Sequence, residues 1–412
     1  MNQAKIVILG GGMVAGYAAK QMVELGLSSG ELAILSADNV VPYERPPLSK
    51  GFLAGKDSED SVKINPEDFY RQHEIELRLS CVVSALDVKR KRLILKGADE
   101  FGFQKLIIAT GARPRTLNVP GSQLQNLFYL RSLNDSKRIR DAAQRAKHAL
   151  VIGGGFIGME VAAVLAQKGI EVTLVLSDDR IWKRVFTPEM SGFFERYYAA
   201  RKVRIVKSSS VKELQGDATV RSAVLSDGQT ISCDLVVAGI GVEPAVELAS
   251  SGGLEVENGI LVNEYLQTKD PDIFVAGDVA NYQDVLFGKR RRVEHWDNAV
   301  SQGQYCARSM MGDATPFNHV PYFFSDVFDL SYEYWGDSSN ADQIMHRGDT
   351  ASNSFSVWWL HEERVRAAFV MNRPDEERNA APKWIESAQR VSATKLADAS
   401  QLILTASAPA AA

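Results

Sequence analysis

Twice in this chain a short apolar run breaks into a glycine-rich turn and then into helical sequence. That repeat limits the fold more than any other feature. The first copy is Ile6–Leu9 followed by Gly10-Gly-Gly-Met-Val-Ala15, a G-x-G-x-x-A pattern. The second is Ala149–Ile152 followed by Gly153-Gly-Gly-Phe-Ile-Gly158, with Gly153 lying 143 residues beyond Gly10. A continuous apolar run of this length is the pattern of a strand buried on both faces of a parallel sheet. In such turns the first glycine permits the tight bend. The second lets backbone approach a pyrophosphate, and the third small residue lets helix and strand pack closely. The helix that follows offers unpaired N–H groups and a positive dipole end to phosphates.

The flanking sequence agrees with this reading in both copies. Ala15–Leu25 and Met159–Gln167 are expected helices. Each precedes a second strand (Leu32–Leu35, Val172–Leu176) and then an acid, Asp38 or Asp178, where a ribose-binding carboxylate belongs. One fingerprint is weak evidence, but two in full strand–helix–strand–acid frames are specific. The expected fold class is α/β, with two doubly wound dinucleotide-binding domains and a C-terminal α/β domain.

Length and composition admit this. The 412 residues suffice for two or three domains, and 45% apolar with 24% charged residues is an ordinary globular balance. The net charge of −4 argues against nucleic acid as a partner. The one basic run, Lys289–Arg292, reads first as a solvated loop and second as a docking patch for an acidic partner. No apolar run reaches the roughly 18 residues a membrane span needs. The first strand begins within five residues of Met1, so no signal peptide and a cytoplasmic location are expected. Cys81, Cys233 and Cys306 form neither C-x-x-C nor C-x-x-x-x-C. Buried structural thiols are expected, with no metal and no redox-active dithiol. The tail Ala406–Ala412 is expected to be disordered.

Between the fingerprints, Pro42, Pro46 and Pro47 exclude a regular strand and leave an extended loop that starts a helix near Leu48. The loop carries Glu44, Arg45 and Lys50; Arg45 is placed to clamp a pyrophosphate and Lys50 to reach a cofactor's reactive end. Lys105–Ile108 is a buried strand ending in Ala109-Thr-Gly111, small residues that let backbone lie against a ligand; Arg113 and Pro114 leave the sheet. Glu160 is read near the start of the second fingerprint helix, either compensating its dipole or acting as a catalytic carboxylate. Ala238–Pro244, with Gly241, repeats the layout of Ala109–Pro114 and is read as the return to the first domain. Asp278, after Ile273–Gly277, is either a helix cap or a carboxylate for a hydroxylated chain. Val293–Ala299 opens a helix to about Met311, capped by Asp297 or Asn298; His295 taken alone reads as a structural histidine. From Pro321 to Trp335 the aromatics are dense, mostly core with a subset at an active-site mouth, and a helix is expected over Ala381–Ser392.

In order, Gly10–Ala15, Pro42-Tyr-Glu-Arg-Pro-Pro-Leu-Ser-Lys50, Ala109–Gly111, Gly153–Gly158 with Glu160, Ala276-Gly-Asp278 and Glu294-His-Trp-Asp-Asn298 form one series. That series resembles the FAD-dependent pyridine nucleotide oxidoreductases of the glutathione-reductase fold. It looks most like the ferredoxin, rubredoxin and putidaredoxin reductases, monodehydroascorbate reductase and apoptosis-inducing-factor relatives. The resemblance spans residues 3 to 395. It implies an FAD domain over 1–114 and 245–316, an NAD domain over 115–244 and a C-terminal domain over 317–405. By position it implies FAD on Gly10, Gly12, Met13, Val14, Ala15 and Asp38, with Arg45, Val83 and Arg131 alongside. It adds Ala109, Thr110, Gly111, Arg113, Gly277, His295 and Trp296 to the flavin set, with Asp278 holding the ribityl chain. NADH is implied on Gly153, Gly155, Phe156, Ile157 and Gly158, with Asp178 on its ribose and Arg184, Gly241 and Glu294 nearby. Lys50 is implied beside the flavin N5, paired with Glu160; these two are the candidate catalytic residues.

The implied reaction is hydride transfer from NADH to FAD, then release of electrons to an acceptor. NADH is expected over NADPH because Asp178 would repel a 2′-phosphate, although Arg180 and Lys183 could receive one. Without a cysteine pair after the first turn, disulfide substrates are not expected. A small acidic iron–sulfur protein of the ferredoxin type, met by Arg290–Arg292, is the first choice of partner. A small molecule such as a quinone or the ascorbyl radical is the second, and a slow redox-responsive binding protein the third. Phe324 stands where plant-type monodehydroascorbate reductases carry a tyrosine, which weakens the ascorbyl reading. A monomer or homodimer is expected.

Overall fold

The structure, a computed structural model, describes residues 2–313 and 315–407. The chain folds as two compact units. Unit 1 comprises Met1–Arg45, Ser58–Arg113 and Val242–Pro321; unit 2 comprises Pro46–Asp57, Pro114–Gly241 and Tyr322–Ala412.

Among the described residues, unit 1 is built on a seven-stranded sheet. Its parallel part runs Glu76–Arg78, Leu32–Leu35, Asn2–Leu9, Glu100–Ile108. Strand Asn2–Leu9 sits between two neighbours, with Ile6 opposite both Leu32 and Lys105. Its residues Ile6, Val7 and Ile8 are almost fully buried, as the unbroken apolar run requires. Strand Glu100–Ile108 changes partner along its length: the first half pairs antiparallel with Arg92–Leu95, the last three residues parallel with Ile273–Val275. Helices Met13–Glu24 and Trp296–Met310 pack together, and a Cβ on Gly303 would meet the Val14 backbone at 2.9 Å.

Unit 2 holds a five-stranded parallel sheet in the order Val203–Val206, Glu171–Val175, His148–Ile152, Leu235–Ala238, Leu127–Phe128. A three-stranded antiparallel sheet, Val211–Gly216, Val220–Leu225 and Thr230–Ser232, packs beside it through Leu214, Ala223, Ile231 and Val236. The C-terminal part is a five-stranded antiparallel sheet in the order Tyr322–Val327, Leu330–Gly336, Arg364–Met371, Ser354–His361, Gln343–Asp349. The aromatics expected to be mostly core do seat this sheet. Tyr332 and Phe369 meet Trp182, Phe186 and Phe194 at ring-centroid distances of 5.2–6.4 Å, mostly edge to face.

Both glycine turns close for the same steric reason. Gly10 has φ +128°, and an added Cβ would lie 2.2 Å from the Ala109 carbonyl oxygen. Gly153 has φ +109°, with the Gly239 carbonyl oxygen at the same 2.2 Å. Neither conformation nor space admits a side chain.

Several expectations need correction. The C-terminal helix is Asp375–Glu386, six residues earlier than expected, because Pro382 sits inside it rather than near its start. The loop after Pro46 forms a 3-10 turn, Pro46–Ser49, and a short helix, Gly51–Ala54. Helix Trp296–Met310 has His295 at its N-cap and no side-chain cap; Asn298 donates to the Val293 carbonyl at 3.1 Å instead. Cys81 is half-buried, whereas Cys233 and Cys306 are buried. Of the tail expected to be disordered, Ala406 ends a 3-10 turn and Ser407 bridges to Val391; residues 408–412 lie outside the described ones. Among the described residues no helix is long and apolar enough to cross a membrane.

Glu377, buried on helix Asp375–Glu386, accepts from Arg347 Nε at 2.7 Å, Arg373 Nη2 at 2.6 Å and Ser356 Oγ at 2.7 Å. Burial raises the carboxyl's pKa, but the two guanidiniums and the hydroxyl outweigh it and hold the group below the usual carboxylate range. Glu377→Ala would strand two arginines in the interior and should destabilise unit 2 by about 3–5 kcal/mol in urea unfolding. Gly153→Ala should lower the melting temperature as well, because strain and overlap cannot both be relieved at that turn.

Candidate functional site

In unit 1 the first fingerprint helix begins at Gly12 with no side-chain cap and no acidic residue in its first turn. Elsewhere in the chain, Ser132 with Asp135, and Thr187 with Pro188 and Glu189, close helix starts in the ordinary way. The first-turn N–H groups at Met13 and Val14 are therefore left for another acceptor. Among the described residues, a Cβ built on Gly12 would meet only Arg45 Nη2, at 3.7 Å. An uncapped helix start with a guanidinium at its mouth fits a pyrophosphate in charge and in donor type. Ala15 is fully buried in the helix–sheet contact.

Asp38, half-buried after strand Leu32–Leu35, accepts from Tyr43 Oη at 2.9 Å and from the Asn39 N–H at 2.8 Å. Two acceptor positions are thus spent on orienting it, and a carboxylate has about four. Val83 is buried, and Thr110 Oγ1 donates to the Ala245 carbonyl at 2.8 Å, fixing the small-residue strand end Ala109–Gly111. No helix follows Asp278, which excludes the capping alternative: it lies in a turn between strands Ile273–Val275 and Ala280–Asp284. Its carbonyl accepts from Arg292 Nη1 at 2.9 Å. Gly277, φ +80°, donates its N–H to Gln302 Oε1 at 2.8 Å. Gln302 is fully buried, and its Nε2 has no partner among the described residues. A buried donor left over beside this turn fits a hydrogen-bonding ligand there.

Trp296 opens its helix and donates Nε1–H to Glu44 Oε2 at 2.6 Å; Tyr17 Oη donates to Glu44 Oε1 at 2.5 Å. This Tyr17–Glu44–Trp296 junction escaped the sequence reading, since 252 residues separate Glu44 from Trp296 and their motifs carry no sign that the two side chains meet. His295 is held neutral at physiological pH: burial pushes its pKa down to about 4, against the opposing pull of Asp278 and Asp297.

Two expected roles meet competition. Arg113, assigned to the cofactor, is engaged by Glu243 at 2.7 Å and by Glu247. The basic run does not present a bare cationic face. Arg290 Nη1 donates to the carbonyls of Val262 and Asn281, Arg291 pairs with Asp284 at 3.0 Å, and Arg292 pairs with Glu294 at 2.6 Å.

In unit 2 the second fingerprint helix, Phe156–Gln167, starts at Gly155, again without a side-chain cap or a first-turn acid. Among the described residues, a Cβ on Gly155 would meet nothing within 4 Å, so they leave the space before this helix open. Ile157 is 40% exposed and Gly158 buried, while Phe156 rests on Phe323 with centroids 4.6 Å apart. Asp178 and Arg184 are exposed; Arg180 and Lys183 both lean on Asp179, at 3.6 and 3.1 Å. Arg131 lies before helix Leu133–Ala143, its N–H donating to Asp135 at 3.2 Å, and Gly241, φ +98°, accepts from the Arg115 N–H at 2.9 Å.

Glu160 is the fifth residue of its helix, one turn deeper than the dipole-compensation reading needs, and is 5% exposed. Lys50 Nζ lies 3.3 Å from Glu160 Oε1, 3.9 Å from Asp326 and 4.7 Å from the centroid of the Phe324 ring. The pairing inferred from sequence is therefore present. What the sequence did not disclose is that Ser49 and Ser325 also donate to this carboxylate.

Residues 4–303 match the pyridine nucleotide-disulphide oxidoreductase family, and residues 322–405 match the reductase C-terminal family. Among curated relatives, monodehydroascorbate reductase 4 (peroxisomal) of Arabidopsis thaliana is 37% identical over 90% of this chain and 80% of its own length. Rubredoxin-NAD(+) reductase of Pseudomonas putida is 34% identical over 90% of this chain and 97% of its own. Among solved structures, putidaredoxin reductase in covalent complex with putidaredoxin aligns at 33% identity. It has a TM-score of 0.93 and covers 98% of this chain and 99% of its own. The chain belongs to the pyridine nucleotide-disulphide oxidoreductase family and is an FAD-containing, NAD(P)H-dependent reductase.

Proposed function

We propose that this reductase takes electrons from NADH and passes them to a small iron–sulfur protein. The observation that carries the acceptor is the likeness to putidaredoxin reductase, which extends over 98% of this chain and was solved joined to putidaredoxin. The rubredoxin reductase relative points the same way. The sequence holds no closely spaced cysteine pair with which to relay electrons to a disulfide.

FAD, when bound, supplies the hydride acceptor and the store of two electrons. The chain's own residues bind, orient and stabilise charge. The open helix start at Gly12, with Arg45 at its mouth, is the proposed seat of the FAD pyrophosphate, and the turn at Gly277–Asp278 that of its hydroxylated chain. The open helix start at Gly155 is the proposed seat of the NADH pyrophosphate, with Asp178 on the ribose. A 2′-hydroxyl donates to that carboxylate, whereas a 2′-phosphate is repelled by it. Arg180 and Lys183, which could offset the repulsion, lean on Asp179, so charge biases the site toward NADH. Lys50, partly buried at 16% side-chain exposure and held beside Glu160, is the proposed cation that stabilises negative charge on the reduced ring.

A second reading has its own support. The Arabidopsis relative, at 37% identity, is named a monodehydroascorbate reductase, and a small-molecule acceptor is the corresponding activity here. Docking of an acidic protein draws no support from Arg290–Arg292, whose guanidiniums are each engaged within their own unit.

Anaerobic reduction by NADH, followed by mixing with ferredoxin, rubredoxin, a quinone and ascorbyl radical, separates the readings. Fastest reoxidation by an iron–sulfur protein is expected, and fastest reoxidation by ascorbyl radical would transfer the function to the second reading. Lys50→Ala should retain FAD but slow flavin reduction in stopped flow by tenfold or more, and an unchanged rate would remove Lys50 from the reaction. Gly155→Ala should leave melting temperature and FAD content near parental values while raising KM for NADH, because the added methyl stands only in the nucleotide's way.

A further inference from the structure

Two buried hydroxyls converge on one buried carboxylate from segments far apart in the chain. Ser49, 2% exposed, closes the 3-10 turn Pro46–Ser49 and donates to Glu160 Oε2. Ser325, fully buried on strand Tyr322–Val327, donates to Glu160 Oε1 at 2.5 Å. The turn carrying Ser49 is itself held to helix Leu133–Ala143, since Ser136 Oγ donates to the Leu48 carbonyl at 2.7 Å.

From this geometry we infer that Ser49 and Ser325 are positioning residues that orient the Glu160 carboxylate and set the distance at which it holds the Lys50 ammonium. The inference rests on the proposed part of Lys50 in flavin reduction. A buried carboxylate without donors gives up its charge by taking a proton. Hydrogen bonds to the charged form oppose that, and each hydroxyl here has the carboxylate as its nearest acceptor; Ser49 is 3.5 Å from its other one, the Pro46 carbonyl. The lysine is the more distant donor, at 3.3 Å. With the hydroxyls meeting much of the carboxylate's demand, the ammonium keeps hydrogen-bonding capacity in reserve. Its other neighbours are the Phe324 face and Asp326, whose side chain is 47% exposed.

The other titratable groups facing Glu160 are the phenols of Tyr198 and Tyr332. Both are fully enclosed, and burial pushes their pKa values far above the ordinary one, so they stay neutral. Removing one serine leaves an acceptor position that water cannot easily reach. The carboxylate then draws the ammonium closer, which alters what Lys50 can offer the flavin.

The test uses the holoenzyme. Infrared difference spectra follow the carboxylate stretching band that is lost in Glu160→Gln, in the parent, Ser49→Ala, Ser325→Ala and Ser325→Cys. Each alanine variant should shift that band and slow flavin reduction by NADH by about threefold to tenfold, with FAD content unchanged. Ser325→Cys, a weak donor of similar size, should fall between. Should Ser325→Ala not fold, Ser49→Ala and Ser325→Cys read the same change. A band and a rate equal to the parent's in the serine variants, with Lys50→Ala slow, would overturn this inference and leave the reductase reading standing. Lys50→Ala at the parental rate would remove the reading beneath it, and the infrared band would still decide whether the serines hold Glu160.

Discussion

The two helices that follow the glycine turns, Met13–Glu24 and Phe156–Gln167, start without the carboxylate or hydroxyl that ordinarily closes a first turn. Orphan N–H groups at a helix start must be satisfied by something. At Gly12 and Gly155 the chain supplies neither a side-chain cap nor an acid, whereas Ser132 with Asp135 and Thr187 do so elsewhere. The glycine before each helix bends with positive φ against a neighbouring carbonyl, at Ala109 or Gly239, so the turn is fixed by backbone packing alone. Strand, turn and helix thus hold in each unit a helix start that suits an anion in charge and donor type, as the proposed function requires.

A different constraint governs unit 2 around Glu160. A carboxylate at 5% exposure is costly unless surrounded by donors. Three reach it, from the 3-10 turn at Ser49, from Lys50 beside it, and from Ser325 on the C-terminal sheet. That carboxylate therefore ties the proline-rich loop, the second fingerprint helix and the C-terminal sheet together within the unit. The aromatic contacts of Tyr332 and Phe369 with Trp182, Phe186 and Phe194 seat the same sheet by packing alone. A polar anchor and an apolar one hold that sheet together.

What could be read from the sequence follows from the range over which each feature is encoded. The glycine turns, their strands and the acids Asp38 and Asp178 are local patterns with a steric or electrostatic cause at each position, so spacing alone exposes them. The Lys50–Glu160 pairing spans 110 residues and was legible only through the resemblance of its two motifs to a known family. The contacts made by Ser49, Ser325 and Gln302 and the Tyr17–Glu44–Trp296 junction have no such signal. They involve ordinary polar residues whose importance arises when distant segments meet. The basic run shows the converse. Charge along a sequence says nothing of what it meets, and carbonyls, Asp284 and Glu294 take up the Arg290–Arg292 guanidiniums. Helix Asp375–Glu386 begins six residues before its expected place and carries Pro382 inside it.

The proposed function requires the helix starts at Gly12 and Gly155 each to receive a dinucleotide, one retained flavin and one exchanging nicotinamide. An anaerobic titration of the purified protein with NADH, followed by visible absorbance, addresses both at once. The account predicts a flavin spectrum that is bleached by about one equivalent of NADH per chain. Protein with no flavin absorbance after incubation with FAD, or with a flavin that NADH leaves oxidised, would contradict it.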